Sequence, residues 1–130
     1  MHELSIANRL IEIVLEHAGT ARVQKIHLQI GALSCVHPDA LHFSFDIVAA
    51  GTPLAGATLH ISELPIVIYC PKCEQLRELS SLQDFRCPEC QTPSSDLRQG
   101  QELDIESIEF FHSATKIEDE TAQIVKEQLL

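Results

Sequence analysis

Two pairs of cysteines are the residues in this sequence best suited to binding a metal. Cys70 and Cys73 form one pair, Cys87 and Cys90 form the other, and 13 residues lie between the pairs. Four thiolates at this spacing suit one tetrahedral ion; soft thiolate ligands favour zinc, with a mononuclear iron site as the second choice. A proline follows the first cysteine of each pair, which fits a tight turn around a metal. The sequence therefore predicts a structural zinc site.

A redox function is an alternative interpretation of the same cysteines. A Cys-Pro-x-Cys segment after an apolar strand is also typical of thioredoxin-like proteins. Such chemistry uses one pair at the start of a helix, and the residues after Cys73 show no helical pattern of apolar positions. We therefore favour metal binding. Cys35 stands alone, and we expect it to be a small buried hydrophobic residue.

The N-terminus offers a second set of metal ligands. The α-amine of Met1, the amide and imidazole nitrogens of His2 and the carboxylate of Glu3 lie within three residues. Nitrogen ligands of this kind suit nickel(II) or copper(II) better than zinc, and they must lose protons to bind. Taken alone, a terminal histidine is weak evidence for a ligand. The other histidines show no paired spacing, and we expect each to be exposed or satisfied by hydrogen bonds: His17, His27, His37, His42, His60 and His112.

Charge and hydropathy exclude several classes of function. The chain has 9 Lys+Arg against 19 Asp+Glu, a formal net charge of −10, and its sequence contains no basic cluster for nucleic acid. The longest apolar run, residues 66–70, is far shorter than the ~20 residues that span a bilayer. No basic segment before an apolar stretch opens the chain, so we expect a soluble cytoplasmic protein without a membrane partner. No acid–base pair, activated nucleophile or phosphate-binding glycine loop is evident, so we predict no enzyme.

The spacing of apolar residues predicts the elements that position these groups. Residues 3–18 follow a helical pattern, and residues 23–33 alternate as a strand. A second helix is expected from Pro38 to Gly51. Residues 101–111 alternate again, with a change of phase that is typical of a β-bulge. The stretch 113–130 follows a capping-box pattern, Thr115-x-x-Glu118, with apolar residues at helical spacing, so a C-terminal helix is predicted.

These elements predict an α+β fold with an insertion. The cysteine region has too few aliphatic residues for a core of its own, so a metal is expected to hold it together. The strand at 101–111 is expected to return to the sheet that begins near residue 23. We therefore predict a small mixed sheet flanked by two helices (1–64 and 101–112), an inserted zinc-ribbon-like domain (65–100) and a C-terminal helical extension (113–130).

These residues together resemble the HypA/HybF family of nickel-incorporation proteins for [NiFe]-hydrogenase maturation. The resemblance rests on the start Met1-His2-Glu3-Leu4-Ser5, on the segments Ile30–Val36 and Leu41–Asp46, and on the position of the two cysteine pairs. It implies nickel bound by His2 with the terminal amine of Met1 and Glu3. It also implies structural zinc bound by Cys70, Cys73, Cys87 and Cys90. The implied function is nickel delivery to the hydrogenase large subunit alongside the maturation GTPase HypB.

Two features depart from the family pattern. Some members carry histidine directly after each cysteine pair, where this chain has Glu74 and Gln91. A pH-dependent exchange of ligands at the zinc, and the urease role linked to it, are therefore not expected. The stretch 113–130 extends beyond the usual end of the family, and we expect a packed terminal helix there, or a contact with a partner or a second copy in a homodimer. The rival hypothesis is a zinc-ribbon protein-interaction module that transfers no nickel.

Overall fold

The computed structural model describes residues 3–19, 21–111 and 120–129. Within these ranges lie α1 (Glu3–Ala18), β1 (Val23–Gly31), a short 3-10 helix (Ala32–Ser34), α2 (Pro38–Ala49), β2 (Thr58–Leu64), β3 (Ile66–Cys70), β4 (Gln75–Leu79), β5 (Leu97–Gln99), β6 (Leu103–Phe111) and β7 (Glu120–Gln128). The predicted α+β class is confirmed, as are the two helices and the strand that follows the first. No helix in the described ranges is long and apolar enough to cross a membrane.

The contacts divide the chain into two compact units. The first unit comprises residues 1–29, 36–62 and 103–130, and the second comprises residues 30–35 and 63–102. Residues 30–35 thus group with the segment that contains the cysteines, although the sequence analysis placed them in the first domain. Two backbone hydrogen bonds explain the difference: Gly31 N–H donates to Glu102 O, and Leu33 N–H donates to Gly100 O, both at 2.7 Å.

The first unit consists of α1, α2 and a four-stranded sheet with the order β2-β1-β6-β7. Helix α1 buries one apolar stripe, in which Ile6 and Leu10 are almost fully buried, and α2 contributes Leu41 and Phe45. In β1 the alternate residues Ile26 and Leu28 are buried, as expected for a sheet with one face in the core.

Strand β6 is one of the two inner strands of this sheet. Phe111 N–H donates to Arg22 O at one end of β1 and Gly31 N–H donates to Glu102 O at the other, so β1 and β6 run antiparallel. On its other side β6 pairs antiparallel with β7. The register of that pair shifts between Ile105 and Ser107, which confirms the bulge predicted from the change of phase.

The predicted C-terminal helix is wrong over the part that the structure describes. Residues Glu120–Gln128 form β7, and the proposed capping residues Thr115 and Glu118 lie outside the described residues. Several of these residues are β-branched (Thr121, Ile124 and Val125) and suit a pleated strand as well as a helix. The ladder to β6 satisfies their backbone groups, and tertiary pairing of this kind overrides a helical spacing of apolar residues.

The second unit contains a three-stranded sheet with the order β4-β3-β5. Its core is small: Ile66, Ile68 and Leu79 are buried, and Leu33, Phe85 and Leu97 pack against them at its margin. Strand β3 pairs antiparallel with β4 and with β5. So small an apolar cluster provides little hydrophobic stabilisation for a unit of this length. A metal ion bound by the four cysteines is the main candidate for stabilising it further.

Cys35 does not have its predicted environment. It is exposed and follows the 3-10 helix with φ 61°, in the left-handed region. This conformation ends the short helix before the chain continues to α2. Cys35 therefore occupies a turn, and its side chain is exposed instead of packed in the core.

Candidate metal centre

The first cysteine pair occupies the turn of the β3–β4 hairpin. Cys70 is the last residue of β3 and pairs with Gln75, the first residue of β4. Cys73 lies in the turn between them, and its backbone N–H donates to the Cys70 sulfur at 3.4 Å. The antiparallel ladder thus fixes both ends of the turn that presents the two thiols.

The second pair occupies a turn of the same kind. An isolated antiparallel bridge between Arg86 and Pro93 flanks it. Within this turn Cys87 N–H donates to Thr92 O at 2.9 Å, and Glu89 N–H donates to the Cys87 sulfur at 3.4 Å. Backbone donors aimed at sulfur stabilise a thiolate, which is the form that binds metal.

The two turns bring all four predicted thiols together. The sulfur atoms of Cys70, Cys73, Cys87 and Cys90 all lie within 4.8 Å of one another. The Cys70–Cys90 sulfurs are 3.5 Å apart and the Cys73–Cys87 sulfurs 3.9 Å apart. A tetrahedral ion with metal–sulfur bonds of about 2.3 Å would separate its ligands by about 3.8 Å. The arrangement therefore fits a single tetrahedral metal ion.

Neighbouring groups give the four thiols unequal proton affinities. The Thr92 hydroxyl, 3.1 Å from the Cys90 sulfur, and the Thr92 backbone lower the pKa of Cys90 to about 6. The Arg77 guanidinium lowers the pKa of Cys73, but the thiols around it and burial have the larger combined effect and raise that pKa to about 11. Crowded thiols resist simultaneous ionisation, so a cation at their centre is the group that would let all four lose their protons.

Arg77 is a site residue that the sequence analysis did not identify. Interaction of its guanidinium with the sulfurs of Cys73 and Cys87 holds the pKa of Arg77 above its ordinary value. One positive charge beside four thiolates offsets part of the negative charge that they would carry around a divalent ion. The approach of Arg77 to the cysteines depends on the register of β3 with β4, which pairs Arg77 with Ile68. The sequence alone does not reveal this register.

Of the predicted nickel ligands, the structure describes Glu3 alone. Met1 and His2 fall outside the described residues. Glu3 is the first residue of α1, and its carboxylate accepts a hydrogen bond from His37 N–H at 3.3 Å. That bond lowers the pKa of Glu3, so the side chain is a carboxylate at neutral pH. Glu3 directly follows His2 in the sequence, so its negative charge would attract a cation bound at the N-terminus.

The sequence of residues 1–110 matches the family described as hydrogenase/urease nickel incorporation, metallochaperone, HypA. The chain belongs to the HypA family. The resemblance noted in the sequence is thereby confirmed. The family description is that of a nickel-incorporating metallochaperone, and not of an enzyme, in agreement with the sequence analysis.

Related proteins of similar length support the HypA assignment. The hydrogenase maturation factor HypA of Chloroflexus aurantiacus is 46% identical over 112 residues, which cover 84% of this chain and 98% of that protein. The hydrogenase maturation factor HybF of Salmonella typhimurium is 41% identical over 112 residues, with the same coverage of both chains. The family match ends at residue 110, so β7 lies beyond the matched residues.

A solved HypA structure has the same fold. The solution structure of the Ni metallochaperone HypA from Helicobacter pylori matches 87% of this chain and 100% of its own, with a TM-score of 0.59 and 22% identity. A second solution structure of a HypA protein matches with a TM-score of 0.60 and 23% identity. At these identities the likeness establishes the HypA fold alone.

Proposed function

We propose that this protein binds Ni(II) at its N-terminus and delivers it to the large subunit of [NiFe]-hydrogenase. The observation that carries the proposal is a family match that begins at residue 1 and describes nickel incorporation. The ligands proposed are the terminal amine of Met1, the nitrogens of His2 and the carboxylate of Glu3. The proposal is supported by the ionised state of Glu3, whose negative charge is next to these residues in the sequence.

Transfer of nickel requires a site that binds the ion without enclosing it. A few ligands at a chain terminus leave coordination positions open, so an acceptor protein can add its own ligands before the first set dissociates. The chemistry is ligand exchange, and no covalent bond of the protein is made or broken.

We further propose that Cys70, Cys73, Cys87 and Cys90 hold a structural Zn(II). The proposal is supported by the tetrahedral separation of their sulfurs and by soft ligands that suit zinc. When bound, zinc would cross-link the β3–β4 turn to the turn at 87–90 and stabilise the second unit. The two metal sites would then have opposite character, one open and one closed.

The partners proposed are the maturation GTPase HypB and the hydrogenase large subunit, with homodimerisation as a further interaction. We place the protein in the cytoplasm and expect it to bind neither nucleic acid nor membrane. Its net charge of −10 supports this view, since phosphate-rich surfaces repel an acidic protein.

The test is metal analysis of untagged protein with its native N-terminus. We expect about one zinc per chain, and after nickel addition and desalting about one tightly held nickel that is lost in His2→Gln. Glutamine at position 2 is too large to permit removal of the initiator methionine. The terminal amine of Met1 is therefore retained, and the variant changes only the imidazole. His42→Gln is the matched control, because His42 is exposed on α2 and is not a proposed ligand.

Two results would decide against nickel delivery. Equal nickel binding by wild type and His2→Gln would show that the His2 imidazole is not a nickel ligand. Zinc without any tightly held nickel in the wild type would favour the rival hypothesis, a zinc-ribbon interaction module.

A further inference from the structure

Two histidines far apart in the sequence lie side by side on the outer face of the first unit's sheet. The ring centroids of His27, on β1, and His60, on β2, are 5.2 Å apart with an interplanar angle of 64°. Their neighbours Leu28 and Leu59 are buried, so the alternation of side chains places both imidazoles on the opposite face of the sheet.

A carboxylate from the next strand orients one of these rings. His27 Nε2 is hydrogen-bonded to Glu109 Oε2 on β6, and the two side chains are 24% and 16% exposed. A carboxylate only accepts hydrogen bonds when ionised, so Nε2 is the donor. When the ring is neutral, this tautomer leaves the lone pair on Nδ1, and a carboxylate–histidine pair of this type is the usual outer support of a metal-binding imidazole.

The separation of the rings suits two imidazoles bound to one ion. A metal–nitrogen bond of 2.0–2.1 Å places the centroid of each ring roughly 3.2 Å from the metal. With angles of about 90–110° at the metal, the two centroids would lie roughly 4.5–5.2 Å apart. The observed 5.2 Å falls at the tetrahedral end of this range.

The charge of the surrounding face favours a cation. Gln29 Nε2 donates to Glu106 Oε2 at 3.2 Å, which places Glu106 beside Glu109 on the same face of β6. By alternation Lys25 shares this face on β1, so in the described parts of β1 and β6 the acidic side chains on this face outnumber the basic ones.

We propose that His27 and His60 form a third metal site, which takes a first-row divalent ion, with Glu109 as a positioning residue that orients His27. Imidazole nitrogen is a preferred ligand of nickel, copper and zinc, and the remaining coordination positions are filled by water. The site is separate from the four cysteines and from the N-terminal ligands, so it adds a second place on the first unit where a labile ion is held.

The experiment counts nickel ions on protein whose cysteine site has first been saturated with zinc. Equilibrium dialysis against Ni(II) is carried out on wild type, His60→Gln, His2→Gln, the double variant and the control His42→Gln. We expect about two nickel ions in wild type and the control, about one in each single variant and none in the double variant. Glu109→Gln should retain the second ion with about 10-fold to 100-fold weaker affinity, as is typical of a lost outer support.

The variants separate this proposal from the N-terminal site. One nickel in wild type that is lost in His60→Gln but kept in His2→Gln would support the histidine pair and reject the N-terminal site. A His60→Gln binding curve that superimposes on that of the wild type would overturn the proposal, and the two rings would then form an aromatic contact only. His60 is exposed, so its substitution by glutamine should leave the unfolding midpoint close to that of the wild type, which checks that the variant is folded.

Discussion

Glu74 and Gln91 make the same backbone hydrogen bond in the two cysteine turns. Glu74 N–H donates to Cys70 O at 2.7 Å, and Gln91 N–H donates to Cys87 O at 2.8 Å. Both residues have positive φ, 57° and 65°, in the left-handed region. Each therefore closes a turn of the same form directly after the second cysteine of its pair, so the two halves of the metal centre are built alike.

Replacing Glu74 tests whether this conformation is strained. Glu74→Gly should be neutral or slightly stabilising, because relief of the left-handed conformation offsets the greater freedom of glycine in the unfolded chain. Glu74→Val should lower the free energy of unfolding by about 1–2 kcal/mol, since a β-branched residue tolerates positive φ poorly. Denaturant unfolding of the zinc-loaded protein measures both, with the exposed neighbour Gln75→Val as the control. Equal stability of the two valine variants would show that the backbone at residue 74 carries no strain.

Removing the metal should unfold the second unit selectively. Its apolar cluster has three buried residues, so without a central ion little opposes the loss of structure over residues 63–102. Hydrogen exchange of protein treated with a strong chelator should show loss of protection there while α1 and α2 stay protected. Cys87→Ser should have the same effect, and Cys35→Ser should have none. Retained protection at 63–102 after complete metal removal would contradict this view.

Replacing Arg77 should weaken metal binding. The Arg77 guanidinium interacts with the sulfurs of Cys73 and Cys87 and favours the thiolate of Cys73, so Arg77→Gln should reduce zinc affinity about 10-fold to 100-fold. Arg77 lowers the pKa of Cys73, so its loss raises that pKa, and the deficit should grow as the pH falls and protons compete for the thiol. Competition with a chromophoric chelator at several pH values measures the effect.

Arg98→Gln is the matched control for charge. Arg98 lies on β5 and pairs with Asp96 at 2.7 Å, and it loses the same single charge when replaced. If Arg98→Gln weakens zinc binding as much as Arg77→Gln, net charge and not local contact is the cause.

Gly31 should tolerate no side chain. A Cβ atom there would lie 2.2 Å from the backbone carbon and oxygen of Gly100, and backbone atoms have little room to move. Gly31→Ala should therefore cost about 1–3 kcal/mol of stability or more. Gly19→Ala is the control that measures backbone strain without steric overlap. Gly19 has φ +60°, and no atom lies within 4 Å of its added Cβ. We expect Gly19→Ala to cost about 1 kcal/mol; a Gly31→Ala cost no larger than this would show that the contact relaxes. Urea denaturation gives both values.

Deleting residues 112–130 should destabilise the first unit. The deletion removes the β7 ladder and Leu129, which is 3% exposed and donates its N–H to Leu103 O at 2.9 Å. Leu129→Ala alone should cost about 2–5 kcal/mol, and the deletion should cost at least as much. The exposed neighbour Gln128→Ala is the control, and denaturant unfolding is the measurement. A truncated chain as stable as the full chain would show that β7 contributes nothing to the fold.

Local sequence patterns predicted the parts of this protein that depend on local spacing. Both helices follow from apolar residues that recur along one face, and the four thiols follow from two short turns that each hold a pair. The proximity of His27, His60 and Glu109 could not be predicted in this way. Their contact depends on which strands pair and in which register, and these long-range features leave no spacing pattern among the histidines.

The same distinction explains the error at the C-terminus. Apolar positions such as Ile124 and Leu129 fit a helix, and the β-branched residues fit a strand, so the local sequence of this segment is ambiguous. Pairing with β6 selects the strand over the helix. This pairing depends on residues 103–111, so it cannot be predicted from residues 113–130 alone.

Strand β7 also changes how any other chain could reach β6. In a chain that ends at residue 110, β6 would be an outer strand, open to pairing with a strand of another molecule. Here β7 competes for the same hydrogen bonds from within the molecule, at an effective concentration in the millimolar range that is typical of short tethers. An incoming strand would have to wait for β7 to dissociate, so its rate of association would level off at the rate of β7 release as the incoming strand becomes more concentrated.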